Sequence, residues 1–184
     1  FAASRLYGTR VAPALAAGTM LSQPRAVAPF TLTDQDGQPF TAAQLRGHWT
    51  LLFAGFTHCP DICPTTLALM AQLRQRLAAA PGTLQLLFLS VDPERDSPEQ
   101  LKAYTAHFGG GIRGVTAPRA QLDAFCASLG LAYLKVPGAG PGDYTVDHSA
   151  ALVLLDPQGR IAAYFQAPHR LDTLAADLSR IVGT

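Results

Sequence analysis

Two apolar runs, Thr50-Leu-Leu-Phe-Ala-Gly-Phe56 and Leu84-Gln-Leu-Leu-Phe-Leu-Ser-Val91, constrain the fold of this chain more than any other feature. Runs of this kind, without polar alternation, belong to strands covered on both faces. Between them, Leu67, Met70, Leu73 and Leu77 recur at helical spacing, with Arg74 and Arg76 on other faces. The spacing predicts a helix over 64–80. Strand, helix, strand in this order requires a right-handed crossover and a parallel pair. A chain of 184 residues is enough for one domain with a sizeable core and too short for two.

The remaining elements follow from turn and cap signals. Phe30 to Phe40 alternates around Asp36-Gly37, the strongest short-range hairpin signal. Ser97-Pro98-Glu99-Gln100 combines an N-cap serine, a first-turn proline and a reciprocal glutamine, so a helix starts there. It runs to about Phe108 and stops at Gly109-Gly110-Gly111. A third helix spans Pro118 to Leu129 and is closed by Gly130. Residues 135–147, dense in Pro and Gly, are expected to be a mobile loop. Ala150 to Leu155 and Arg160 to Phe165 flank Asp156-Pro-Gln-Gly159 as a hairpin, and Leu171 to Val182 is the last helix. Residues 1–29 read as an extended arm; the domain division is an arm over 1–21 and one domain over 22–184. The order is a hairpin, βαβα, another helix, then ββα. This is an α/β chain of thioredoxin-like arrangement: a mixed central sheet flanked by helices, with an N-terminal β-hairpin.

Formal net charge is +1 and no run of Lys or Arg occurs, which argues against nucleic-acid binding. Val11 to Leu21 is interrupted by Pro13 and Gly18 and is too short for a bilayer span. The chain begins at Phe1, and an upstream anchoring segment is expected to precede it.

The chemistry concentrates in Phe56-Thr-His-Cys59-Pro-Asp-Ile-Cys63-Pro64, which holds two of the three cysteines. Two thiols this close can form a disulfide, bind a soft metal ion, or alternate between the two. Pro64 disfavours a helical Cys63 and suits a first helical position, so the helix is expected to start at Pro64 with Cys63 at or beside its N-cap. The positive end of the helix dipole then favours thiolate forms. The three-residue spacer gives a wider loop than a two-residue one, able to hold two sulfurs about one ion. Soft thiolates select Cu(I) or Zn(II), with imidazole a compatible third ligand.

Five histidines compete for that third position. His58 adjoins Cys59, and a strand-end geometry turns it away. His48 and His107 read as surface residues, and His169 as a residue ahead of the last helix. His148 precedes a strand whose leading loop faces the cysteine loop in a thioredoxin-like topology, which makes it the favourite. Cys126 shares a helical face with Leu122, Phe125 and Leu129, so it reads as a buried structural thiol. Asp92 either bears on the site through a neighbour or caps the turn at Pro93. Asp147 either orients His148 or caps the strand. Asp61, between the cysteines, either repels thiolates or orients the loop.

Phe-Thr-His-Cys59-Pro-Asp-Ile-Cys63-Pro, Ser90-Val-Asp92-Pro-Glu-Arg-Asp96 and Asp147-His148-Ser149 together resemble, in this order, the Sco/SenC copper proteins. The resemblance covers roughly residues 18 to 184. It implies a copper site, Cu(I) or Cu(II) at one ion per chain, held by Cys59, Cys63 and His148. It also implies a metallochaperone that delivers copper to the dinuclear centre of cytochrome c oxidase subunit II, or reduces the cysteines of that centre through the Cys59/Cys63 redox pair, or both. Other copper chaperones or thiol reductants of the periplasm are further expected partners. The expected location is the periplasm, with a tether to the inner membrane. Two rival readings use the same cysteines. One is a thiol–disulfide oxidoreductase of the cell envelope with copper incidental. The other is a peroxidase, in which Thr57 would serve a single reactive cysteine.

Overall fold

In chain order the protein runs β1 (Gly18–Arg25), β2 (Leu32–Asp34), β3 (Pro39–Phe40), β4 (Trp49–Gly55), α1 (Ile62–Arg76), β5 (Leu84–Ser90), α2 (Pro98–Ala106) and β6 (Ile112–Thr116). It continues through α3 (Arg119–Leu129), β7 (Tyr133–Pro137), β8 (Tyr144–His148), β9 (Leu152–Leu155), β10 (Ile161–Phe165) and α4 (Leu171–Val182). A short 3₁₀ turn over Ala42–Leu45 links β3 to β4. The structure is a computed structural model and describes residues 14–77 and 84–183. Expectations for residues 1–13 and 78–80 lie outside the described residues.

The two apolar runs pair in parallel, Trp49 opposite Leu84 through Gly55 opposite Ser90. They lie inside an eight-stranded mixed sheet of order β1-β10-β9-β4-β5-β6-β2-β3. Leu51, Leu52, Phe53, Leu86, Leu87 and Phe88 are fully buried, as strands covered on both faces require. Each such side chain contributes about 1.5–3 kcal/mol by leaving water. α1 packs on β5 and against α4, and α2 packs on β6. The hairpin at Asp36-Gly37 forms β2 and β3 at one sheet edge, with Gly37 at φ 73° and Asp34 Oδ1 accepting from the Asp36 and Gln38 amides.

Four expectations change. β1 occupies part of what reads as an arm and pairs antiparallel with β10, adding the other sheet edge. β6, parallel to β5, stands between α2 and α3, where no strand was expected. Residues 135–147 are no loop: β7 and β8 form an antiparallel ribbon with Tyr133 opposite His148 and Pro137 opposite Tyr144. Beyond Pro137 the Pro and Gly cluster makes only its turn, where the Gly138 amide donates to the Asp143 carbonyl and the Asp143 amide to the Gly140 carbonyl. α1 begins at Ile62, with Asp61 as N-cap, so Cys63 and Pro64 both lie in the first turn. Proline is tolerated there because first-turn amides have no partner within the helix to lose.

Candidate metal centre

β4 and β5 run parallel and end side by side, and the segments leaving their carboxyl ends build the site. β4 leads through Phe56 and Thr57 into the cysteine loop. Thr57 is pinned by the buried Asp96, which accepts from its amide (2.9 Å) and its hydroxyl (2.6 Å). Ser90, the last residue of β5, donates to the same carboxylate at 2.6 Å. Asp96 therefore fixes the entrance of the loop to the end of the neighbouring strand. Thr57 points at Asp96 rather than serving a cysteine, which removes the role that the peroxidase reading gave it.

Within the loop, Cys59 is half-buried and Cys63 is fully buried. Cys63 Sγ lies over Gly55, so close that a β-carbon on that glycine would stand 2.6 Å from it. Burial, with the neighbouring Cys59 adding to it, pushes the Cys63 thiol far above its ordinary value, although a backbone hydrogen bond at Phe56 acts the other way. The expected thiolate at the helix start is thus corrected for Cys63 in the metal-free protein. Desolvation disfavours the charged form of this sulfur.

His148 arrives from the end of β8. Its Nε2 lies 3.4 Å from Cys63 Sγ. Its Nδ1 lies 3.2 Å from the Ser149 carbonyl, and a carbonyl only accepts, so that bond places the ring proton on Nδ1 and leaves the Nε2 lone pair facing the sulfurs. The ring stands edge-on to Phe53 (5.7 Å) and Phe56 (5.9 Å). Burial holds the imidazole below its ordinary value, which keeps it neutral and able to donate its lone pair. The ligand atoms of Cys59, Cys63 and His148 all lie within 4.8 Å of one another, and no other such cluster occurs among the described residues. A cleft of about 340 Å³ opens beside them, between Phe56–Ile62 and Thr145–His148.

The other histidines stay apart from this cluster. His58 turns Nδ1 to the Thr57 hydroxyl (3.1 Å) and lies 3.6 Å from Asp96. His169 Nε2 meets the Ala150 carbonyl at 2.8 Å. His107 caps the carboxyl end of α2, and His48 lines a separate cavity. Cys126 is buried on α3, as expected. Asp147 and Asp61 are exposed. The Asp92 carbonyl accepts from the Arg95 and Asp96 amides and so closes the turn at Pro93, while its carboxylate accepts from Arg95 and the Tyr144 hydroxyl. Tyr144 and Arg95 were not foreseen. Their one sequence signal is the aspartate pair Asp92 and Asp96 around Pro93, which marks a structured connection after β5.

The donor set of two sulfurs and one imidazole nitrogen fits a soft metal ion. The chain matches the SCO1/SenC family model over residues 18–183. A protein of Stutzerimonas stutzeri is 41% identical over 164 residues, covering 89% of this chain and 80% of that one. The mitochondrial SCO2 homolog of Bos taurus is 37% identical over 82% of this chain, which spans only 58% of that protein's length. The structure of Bradyrhizobium japonicum ScoI with copper bound superposes with a TM-score of 0.76 at 38% identity, covering 84% of this chain and 98% of that one. BsSco, described with a disulfide switch as a member of the Sco family of cytochrome c oxidase assembly proteins, gives a TM-score of 0.67 at 26% identity, covering 86% and 94%.

Proposed function

This chain belongs to the SCO1/SenC family, and we propose that it binds one copper ion through Cys59, Cys63 and His148 and serves the assembly of cytochrome c oxidase. The observation that carries the reading is the convergence of two sulfurs and one pre-oriented imidazole nitrogen within 4.8 Å. Copper there supplies the charge that two desolvated thiolates need, and its binding releases their protons. The trigonal S₂N set suits Cu(I), and Cu(II) is held with one further ligand. Copper is then cargo for the dinuclear centre of oxidase subunit II. Ile62, 39% exposed, lines the cleft with Cys59 and His148, and Leu134, 66% exposed, lines a second one with His148; together they offer a partner an apolar rim. The same proposal puts the protein in the periplasm, tethered to the inner membrane, with other periplasmic copper chaperones or thiol reductants as its suppliers.

Metal analysis and spectra of desalted wild type, Cys59→Ala, Cys63→Ala and His148→Ala test this reading. Wild type should retain one copper per chain, and each cysteine variant should lose it. If His148→Ala holds both copper oxidation states as tightly as wild type, the ligand set is wrong.

The burial order of the sulfurs favours a second activity at the same site. Cys59 is accessible and Cys63 lies behind it, the arrangement of an attacking and a resolving thiol. In that reading Cys59 sulfur attacks a partner disulfide and releases one partner thiol. Cys63 then displaces the second, and the two electrons leave a Cys59–Cys63 disulfide behind. Reduction of a disulfide in the subunit II copper-binding segment, with and without a copper chelator, separates the two activities. Undiminished reduction under chelation would establish the redox role as independent of metal.

A further inference from the structure

β7 and β8 form a two-stranded sheet that shares no ladder with the main sheet. Such a ribbon is marginally stable alone. Of its ten residues only Val146 is buried, so little apolar burial holds it down. It nevertheless delivers His148 to within 3.4 Å of Cys63 Sγ. Something else must fix it.

At the His148 end, the Ser149 amide donates to the Ala132 carbonyl and the Ala132 amide donates to Ser149 Oγ, both at 2.9 Å. At the other end, Tyr144 and Lys135 reach side chains of the connection between β5 and α2. The Tyr144 hydroxyl donates to Asp92 Oδ1 at 2.8 Å, and Asp92 is fully buried. Arg95 Nε donates to Asp92 Oδ2, and its Nη1 donates to the Tyr144 carbonyl at 3.2 Å. The guanidinium carbon of Arg95 sits 3.7 Å from the Tyr144 ring centroid and 5.7 Å from that of Phe56. The Lys135 ammonium lies 3.8 Å from the Tyr144 centroid and is paired with Glu94. Arg95 therefore joins the ribbon to Phe56, the ring on which the His148 imidazole also rests.

We infer that Tyr144, locked to Asp92 and Arg95, is a positioning residue that holds the β7–β8 ribbon in place and so keeps His148 over the two cysteines. The role rests on the reading of Cys59, Cys63 and His148 as the copper ligands. Tyr144 touches neither sulfur nor metal; it acts through the strand. A site whose third ligand is present only part of the time binds with an affinity reduced by that fraction. Releasing the latch therefore weakens copper binding only through His148, and leaves whatever affinity the two sulfurs have alone.

Tyr144→Phe in the full chain is the test, because it removes the bond to Asp92 and keeps the ring under Arg95 and Lys135. In the metal-free protein, amide exchange at Leu134, Thr145 and Asp147, which sit at the hydrogen-bonded positions of the ribbon, should accelerate, on the order of 10- to 100-fold for the loss of one hydrogen bond to a charged group. Cu(II) affinity, read by competition with a chelator of known affinity, should fall in proportion to the fraction of protein whose ribbon is released, and by no more than the rise in exchange. In a His148→Ala background the same substitution should change affinity less than about 2-fold, since coupling between the two positions is what the inference asserts. Tyr144→Leu, which also removes the ring, should enlarge both effects. Unchanged exchange at Leu134, Thr145 and Asp147 overturns the inference, as does an equal loss of affinity with and without His148. Should His148→Ala bind copper as wild type does, the ligand set fails, and the exchange measurement on metal-free protein still decides whether Tyr144 positions His148.

Discussion

Gly55 is the last residue of β4, and a methyl group there would stand 2.6 Å from Cys63 Sγ and 3.0 Å from the Phe88 ring. Both neighbours are fully buried and cannot swing aside. Gly55→Ala should therefore destabilise the fold by about 1–3 kcal/mol, the usual cost of overpacking, and displace Cys63 from its partners. Urea midpoints and copper stoichiometry on the same variant measure the two effects. The glycine is plain in the sequence as part of an apolar run, but its reason is not, because the sulfur above it comes from another element. Cys126 shows the opposite case, where spacing alone carries the assignment: the helical face it shares with Leu122 and Phe125 marks it as core, and it is core. Burial, with the charge of Asp123 adding, pushes its thiol up to about 12. At pH 8, iodoacetamide should label half-buried Cys59 in folded, reduced, metal-free protein and leave Cys126 untouched until the chain is denatured. Mass spectrometry of the peptides reads the outcome.

Elements were legible where their own residues carried the signal. The capping box at Ser97 is present as its motif reads: Ser97 Oγ accepts from the Gln100 amide at 3.3 Å, and Gln100 Oε1 accepts from the Ser97 amide at 3.1 Å. Ser97→Ala should cost about 1 kcal/mol, visible as a lower denaturation midpoint with copper binding unchanged. Elements were illegible where tertiary context made them. β6 has Gly114 at its centre, where Leu101 and Thr105 of α2 press close, so its sequence looks broken although the strand is covered. β7 and β8 lie largely in solvent, and nothing in their own residues shows the clamp that Asp92, Glu94 and Arg95 provide from a distant connection. The cysteine pair and His148 could be named because the order of strands brings their segments to one end of the sheet. Tyr144 could not, since its partner lies 52 residues away and is reached by one hydroxyl.

At the scale of the molecule, the site gathers three stretches separated in sequence: the loop after β4, the connection after β5, and the end of β8. The parallel pair β4 and β5 sends the first two out at the same sheet end, where open α/β sheets place their ligands. His148 then crosses from the ribbon to close the set. A copper ion held by Cys59, Cys63 and His148, as proposed, would link the main sheet to the β7–β8 ribbon, a link that does not exist in the unfolded chain. Binding to the native state alone stabilises by about 2.7 kcal/mol at free ligand 100-fold above Kd. For a chain of this size that is a rise in Tm of roughly 5–10 °C. Scanning calorimetry with and without copper, under reducing conditions and with a weak chelator to buffer free metal, should show this rise. It should vanish in a Cys59→Ser, Cys63→Ser double variant, and, scanned without reductant, in wild type whose two cysteines have been oxidised to a disulfide, because either change removes the thiolates. His148→Ala should keep only part of it, since the sulfurs still bind while the link to the ribbon is gone. An equal rise in all four proteins would mean that copper binds elsewhere, and the three-stretch site would have no part in holding it.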